Sequence, residues 1–180
     1  MSLEQLINDC KRNDAKAQEQ LYRLFSSKLF SVCLKYSRNY AEAEDNLQDG
    51  FLIIFKKIEQ FNFKGSFEGW VKRIMVNNVL QQYRNVSFLE LVNDVADEVE
   101  VELDDDNVSM DYLMKIIQEL PDRYRLVFTM YVIDGYSHKE ISDMLGITTG
   151  TTKSNLARAR IILKDKIEQQ NGTQKLPSAK

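Results

Sequence analysis

Residues 120–163 read LPDRYRLVFTMYVIDGYSHKEISDMLGITTGTTKSNLARARIIL. Pro121 suits the first turn of a helix, where its missing N–H would have no partner anyway; that helix should run to about Ile133 and stop at Asp134-Gly135. Ser137-His138-Lys139-Glu140 is a capping-box sequence. The serine hydroxyl accepts the N–H three residues on, and the glutamate reaches back to the serine's own N–H. It opens a short helix through Ile141, Met144 and Leu145. Gly146 supplies a turn, and Thr148 caps a long last helix with Thr152, Leu156, Ala159, Leu163 and Ile167 inward. A short capped helix, a glycine turn and a second helix rich in base form the helix-turn-helix pattern.

The charge of that last helix supports the reading. From Thr148 to Lys166 it carries Lys153, Arg158, Arg160, Lys164 and Lys166 against Asp165, a net +4 over about 28 Å at 1.5 Å per residue. Such a helix can set its N-terminal side chains on base edges while later arginines hold phosphates. A basic face alone would suit an ordinary solvated helix; the capped short helix and turn before it favour nucleic acid. One more helix, marked by Met110, Leu113, Met114, Ile117 and Leu120, precedes this stretch. The tail from Gln169 to Lys180, with Gly172 and Pro177, should fray.

The first half also reads as helices only. Leu21, Leu24, Phe25, Leu29, Val32, Cys33 and Tyr36 recur as one buried face of a helix from Asp14, its N-cap, to Tyr36. A second helix over about 41–59 has Leu47, Phe51, Ile54, Phe55 and Ile58 as its core stripe. A third, about 67–84, runs through Phe67, Trp70, Val71, Ile74 and Asn78, and a weak helix covers 3–11. The fold class is therefore all-α, in two small helical domains.

Between the halves, residues 94–106 hold eight acids (Asp94, Asp97, Glu98, Glu100, Glu102, Asp104, Asp105, Asp106) and no base. Alternation of Val or Leu with acids there could pass for a strand, but adjacent carboxylates on a lone strand would repel one another, which favours an extended acidic flexible linker. Without these acids, 19 acidic residues face 24 basic ones, a balance of +5, although the whole chain of 180 residues carries −3 and has a pI of 5.3. Local charge decides electrostatic binding, because fields are screened beyond about 10 Å at ordinary salt.

Composition excludes several classes. Hydrophobic residues at 43% and charged residues at 28% fit a globular chain rather than a disordered or collagen-like one. No apolar run approaches the roughly 20 residues of a membrane span, and MSLEQLINDCKRND lacks a signal peptide's apolar centre. Membrane insertion is not expected, and the expected location is cytoplasmic. Cys10 and Cys33 read as reduced structural thiols. His138 is the single histidine, so no His/Cys metal site or histidine triad is expected, and no cofactor.

Two further constellations stand out. On the 41–59 helix, Asp45, Gln48, Asp49, Leu52 and Lys56 share one side, either a solvent face with a stray leucine or a docking face. Residues 61–84 mix Phe61, Phe63, Phe67 and Trp70 with Lys64, Lys72, Arg73 and Arg84; aromatics among bases can stack unpaired bases and hold a single strand's backbone. Phe67 and Trp70 lie on the inward side and read better as core. Phe61, Phe63, Lys64, Gly65 and Ser66 make the better ligand loop, with Arg73, Asn77 and Arg84 on the following helix.

At these residues the chain resembles the extracytoplasmic-function (group 4) sigma factors. Residues 120–163 look like their region 4, in Leu120-Pro121 with Arg125, Asp134-Gly135-Tyr136-Ser137, Glu140-Ile141 with Leu145-Gly146, and GTTKSNLARAR at 150–160. DNLQDGFLIIFKKIEQFNFKGSFEGWVKRIMVNNVLQQYR, 45–84, is similar to region 2, in Asp45, Gln48, Asp49 and Phe51, in Phe67 with Trp70, and in Arg73-Ile74 with Asn77. Asn155 departs from the family's arginine, Thr152 from its valine and Thr149 from its frequent glutamate. An amide at 155 lacks arginine's bidentate cationic fork, so promoter preference does not carry over.

The resemblance implies a sigma factor that binds core RNA polymerase and promoter DNA, with an anti-sigma factor as a further partner, and that catalyses nothing. It implies a region 2 domain at 1–93, an acidic linker at 94–108 threading through the polymerase, a region 4 domain at 109–168 and a flexible tail at 169–180. Asp45, Gln48, Asp49, Leu52 and Lys56 would dock on the polymerase. Phe61, Phe63, Lys64, Gly65, Ser66, Arg73, Asn77 and Arg84 would melt and capture the minus-ten element. Thr149, Thr151, Lys153, Ser154, Asn155, Arg158 and Arg160 would read the minus-thirty-five element. Two rivals predict otherwise: a dimeric helix-turn-helix regulator that binds its operator without polymerase, and a metal-dependent hydrolase built on Glu42, Asp45 and Asp49, which has no partner histidine.

Overall fold

In a computed structural model, residues 2–84 and 108–174 are described, and the chain divides into two compact units, Met1–Gln82 and Tyr83–Lys180. Among the described residues every regular element is helical. The first unit holds α1 (Leu3–Lys11), α2 (Ala15–Tyr36), α3 (Tyr40–Lys57), a 3-10 turn at Ile58–Gln60 and most of α4 (Phe67–Arg84). Each of the first three helices starts at a side-chain cap. Ser2 and Gln5 form a capping box, Asp14 accepts from Ala17 N–H, and Asn39 from Glu42 N–H.

The core of the first unit follows most of the expected stripes, although Phe55, Trp70 and Ile74 are only half-buried. Leu21, Leu29, Cys33 and Tyr36 of α2 are fully buried, as are Ala43 and Ile54 of α3 and Met75, Val79 and Leu80 of α4. At Gly50 the helices come so close that a Cβ would sit 2.1 Å from the Met75 Sδ, so glycine lets α4 pack there. Leu24 departs from the expectation: it is 56% exposed, because the face formed by Leu21, Phe25, Leu29 and Val32 already covers the core side of α2.

The second unit contains α5 (Met110–Gln118), α6 (Asp122–Phe128), a π-helical turn at Thr129–Ile133, α7 (His138–Leu145) and α8 (Thr149–Gln174). Helices α5, α6 and α7 pack on α8, burying Ile117, Leu126, Met130, Ile141, Leu145, Leu156, Ala159 and Leu163. Pro121 stands just before α6, at its N-cap. The π turn widens the end of that helix, so that Tyr131, Val132 and Ile133 face outward. The Ser137–Glu140 capping box forms as expected, and α7 ends on Gly146 at φ +70°, a left-handed conformation that glycine adopts without a Cβ clash.

One boundary expectation is corrected. The tail expected to begin at Gln169 remains helical to Gln174; Lys166 near the end of α8 is held by an ion pair to Glu119 at 2.7 Å, and its carbonyl accepts from the Tyr112 hydroxyl at 3.1 Å. The expected linker at 94–108 lies outside the described residues but for Val108, and so do the last residues of the expected tail.

Candidate functional site

On α3, 100° per residue puts Asp45, Gln48, Asp49, Leu52 and Lys56 along one side. All five are exposed, Leu52 at 69%. The opposite side, with Ala43, Asn46, Leu47, Gly50, Phe51 and Ile54, is buried. Beside the stripe a groove between α2 and α3 is lined by Tyr22, Ser27, Phe30, Tyr40, Leu47 and Gln48. The sequence reading missed Tyr22 and Tyr40, both exposed. Their rings rest on Phe51 and Phe30, with centroids 4.6 and 4.8 Å apart; Tyr40 opens α3 itself, two turns before Gln48, and the packing of α2 on α3 adds Tyr22 to the same groove.

The loop between the 3-10 turn and α4 separates its two phenylalanines. Phe61 is buried, its N–H bonded to the Ile58 carbonyl and its ring against Phe67 and Trp70 at 5.1 and 5.4 Å. Phe61 is thus a correction: its ring is part of the core and cannot stack a base. Phe63 is 41% exposed with φ +61°, a conformation a bulky residue rarely takes. Lys64, Gly65 and Ser66 are exposed. Ser66 also caps α4, its hydroxyl accepting from Gly69 N–H at 3.3 Å. Arg73 and Asn77 are exposed one turn apart on α4, whereas Arg84 lies past the end of the first compact unit. Lys72 is bound to Glu68, which also pairs with Lys28; both cations hold the Glu68 carboxyl below the usual range. The structure therefore gives Arg73 and Lys72 different surroundings, which spacing could not.

In the second unit α7 and α8 form the two helices of the helix-turn-helix. Thr148 accepts from Thr151 N–H at 3.1 Å and starts α8. The turn is closed by Gly146 and Ile147 N–H groups donating to the Ser142 carbonyl. Thr149, Thr151, Lys153 and Arg158 are exposed, and Ser154 and Arg160 are half-buried. Asn155 is a second correction. At 7% exposed, it shares the inward side of α8 with Thr152 and Ala159, three residues before it and four after. It is poorly placed to reach a base.

A link between the two helices has no mark in residue spacing. The buried Thr152 hydroxyl donates to the Thr149 carbonyl at 2.7 Å and lies 2.9 Å from His138 Nδ1. With its one hydrogen so engaged, the hydroxyl accepts from the imidazole. The ring also stacks on Tyr131, centroids 4.4 Å apart. His138, at the start of α7, thereby ties the first helix to the second. The Glu140 carboxyl, accepting from the Ser137 N–H and hydroxyl, is held below the usual carboxylate range. No group of three or more histidine, cysteine or acidic side chains suited to a metal occurs among the described residues.

Two family models match the chain. Residues 21–88 match the model for Sigma-70 region 2, and residues 110–163 that for Sigma-70, region 4. The chain is 30% identical to the ECF RNA polymerase sigma factor SigM of Mycobacterium tuberculosis, over 82% of this chain and 75% of that one. The chain belongs to the ECF RNA polymerase sigma factors. This sigma factor is also 25% identical to SigW of Bacillus subtilis, covering 93% of its own length and 97% of the relative. Its fold resembles that of the sigma factor RpoE of Bartonella quintana, solved in complex with the anti-sigma factor NepR, with a TM-score of 0.53 at 20% identity over 83% and 96% of the two chains. It is an alternative sigma factor, of the class that binds RNA polymerase and directs transcription initiation. Among the described residues, no helix of this sigma factor is long and apolar enough to cross a membrane.

Proposed function

We propose that this sigma factor docks on core RNA polymerase through Asp45, Gln48, Asp49, Leu52 and Lys56, captures an unpaired minus-ten base with Phe63, Lys64, Gly65 and Ser66 aided by Arg73 and Asn77, and reads minus-thirty-five duplex with Thr149, Thr151, Lys153, Ser154, Arg158 and Arg160. Residues 1–93 would form the docking and melting domain and 109–168 the duplex-reading domain, with 94–108 as an acidic linker between them. The chain performs no covalent chemistry: contacts to the duplex and to a captured base offset the unstacking energy, a few kcal/mol per base. Its place of work is the cytoplasm, where polymerase and promoter are, and an anti-sigma factor is a further partner.

The observation that carries this reading is Leu52, a large apolar side chain 69% exposed in the middle of an otherwise polar stripe. A single apolar anchor with a polar surround is how a helix face docks on a partner. Leu52→Glu should weaken core binding by about tenfold or more, on the order of 2 kcal/mol for a lost anchor, with helix content and melting temperature unchanged. Equal core affinity of the folded variant, measured by fluorescence anisotropy, would defeat this placement. A dimeric repressor would instead retain full duplex binding in that variant and show a dimer in sedimentation.

A further inference from the structure

The loop that carries Phe63 is held from outside by a helix that lies upstream of the residues matched to region 2. Helix α1 buries Leu6, Ile7 and Cys10 against the rest of its unit, which fixes the next residue, Lys11, in the last turn. From there the Lys11 ammonium donates to the Phe61 carbonyl at 2.7 Å and stands over the Phe63 ring, 4.7 Å from its centroid. One cation therefore grips the chain on both sides of Asn62. The Asn62 side chain accepts from Lys64 N–H at 3.1 Å, and Phe61 is anchored in the aromatic core. Between these fixed points the backbone turns through φ +61° at Phe63, and just past them through +98° at Gly65. A bulky residue stays in the left-handed region only where its surroundings over-determine it. A charge-assisted hydrogen bond and a cation–π contact from one ammonium supply that constraint, while the ring remains 41% exposed.

We propose that Lys11 is a positioning residue for strand capture, holding the 61–66 loop in the shape that presents Phe63 and Lys64 to an unpaired base; this rests on the strand-capturing reading of that loop. Lys11 acts through the loop rather than on DNA. A loop already ordered binds without the conformational loss that a slack one would suffer.

The test uses holoenzyme assembled from core polymerase and the full chain. The probe is the short single-stranded DNA that wild-type holoenzyme enriches from a random-sequence pool. Lys11→Met, which keeps the apolar stem, should bind this strand about tenfold more weakly, with unchanged core affinity and melting temperature. Hydrogen exchange at amides 62–66 should be faster. Lys11→Arg, which restores cation and donor, should bind close to wild type. The slope of log affinity against log salt should be unchanged in Lys11→Met; a fall of about 0.7 would make Lys11 a direct phosphate ligand and overturn the positioning role. Wild-type affinity of Lys11→Met, or an arginine variant as weak as the methionine one, would also overturn it. Phe63→Ala separates the two levels: if it binds normally, the strand-capturing reading fails and the inference with it; if it binds weakly while Lys11→Met binds normally, only the role of Lys11 fails. Should methionine lower the melting temperature by many degrees, Lys11→Gln, neutral but polar, replaces it with the same expectations.

Discussion

Burial pushes the thiol of Cys33 up to about 12, and burial aided by the carboxylates of Asp9 and Asp14 pushes that of Cys10 up to about 11, from an ordinary 9.0. Folding favours the protonated form of each, so their contribution is complete below pH 9 and is lost as pH rises through 11 and 12. Urea unfolding at rising pH should show the wild type losing stability above pH 9 faster than a Cys10→Ala, Cys33→Ala double variant; parallel curves would remove the thiols from the account. That both cysteines are structural was legible in the sequence, from their positions and number. The roles of Phe61 and Phe63 were not separable there. Two phenylalanines flank one asparagine in FNF, and only the hydrogen bond from Phe61 N–H to Ile58 and the positive φ at Phe63 send one ring inward and leave the other half outside.

Among the elements, α7 shows how far local chemistry alone can go. Serine at 137, glutamate at 140 and glycine at 146 mark its two ends, and both caps form as read. Ser137→Ala should destabilise the second unit by about 1 kcal/mol and raise the Glu140 titration toward the ordinary glutamate range, since the hydroxyl bond that helps to lower it is gone. NMR titration of the Glu140 side chain checks the second effect, and an unmoved titration would place its cause in the Ser137 backbone N–H alone. Helix α8 was legible as a helix and as basic, yet Asn155 was misassigned. Its neighbours at 152 and 159 are inward, so helical spacing puts 155 inward as well, whereas the family's arginine at that position implies an outward side chain. Just before the extra length of α8, the Lys166 carbonyl is held by Tyr112 of α5 and its ammonium by Glu119, which caps the end of α5, a tertiary cause with no mark in the tail's own sequence.

At the scale of the whole molecule, charge is divided so that net values mislead. The chain carries −3, but eight acids lie between residues 94 and 106, and the remainder is +5. Replacing those acids by Asn and Gln would therefore turn a net anion into a net cation without touching any residue of α8. Because exposed charges are screened beyond about 10 Å at 0.1 M salt and about 30 Å at 0.01 M, the gain in duplex affinity of the chain alone should be large at low salt and should fade toward physiological salt. Lys153→Ala should behave differently: a lost phosphate contact lowers the slope of log affinity against log salt by about 0.9 and weakens binding across unrelated duplex sequences. If affinity falls on the preferred promoter alone, with the slope unchanged, Lys153 contacts a base edge instead. If the acid-neutralised chain gains equally at all salt concentrations, the acids compete with DNA for a short-range site rather than through the field. In that case residues 94–106 would inhibit free DNA binding, and core polymerase should relieve the inhibition.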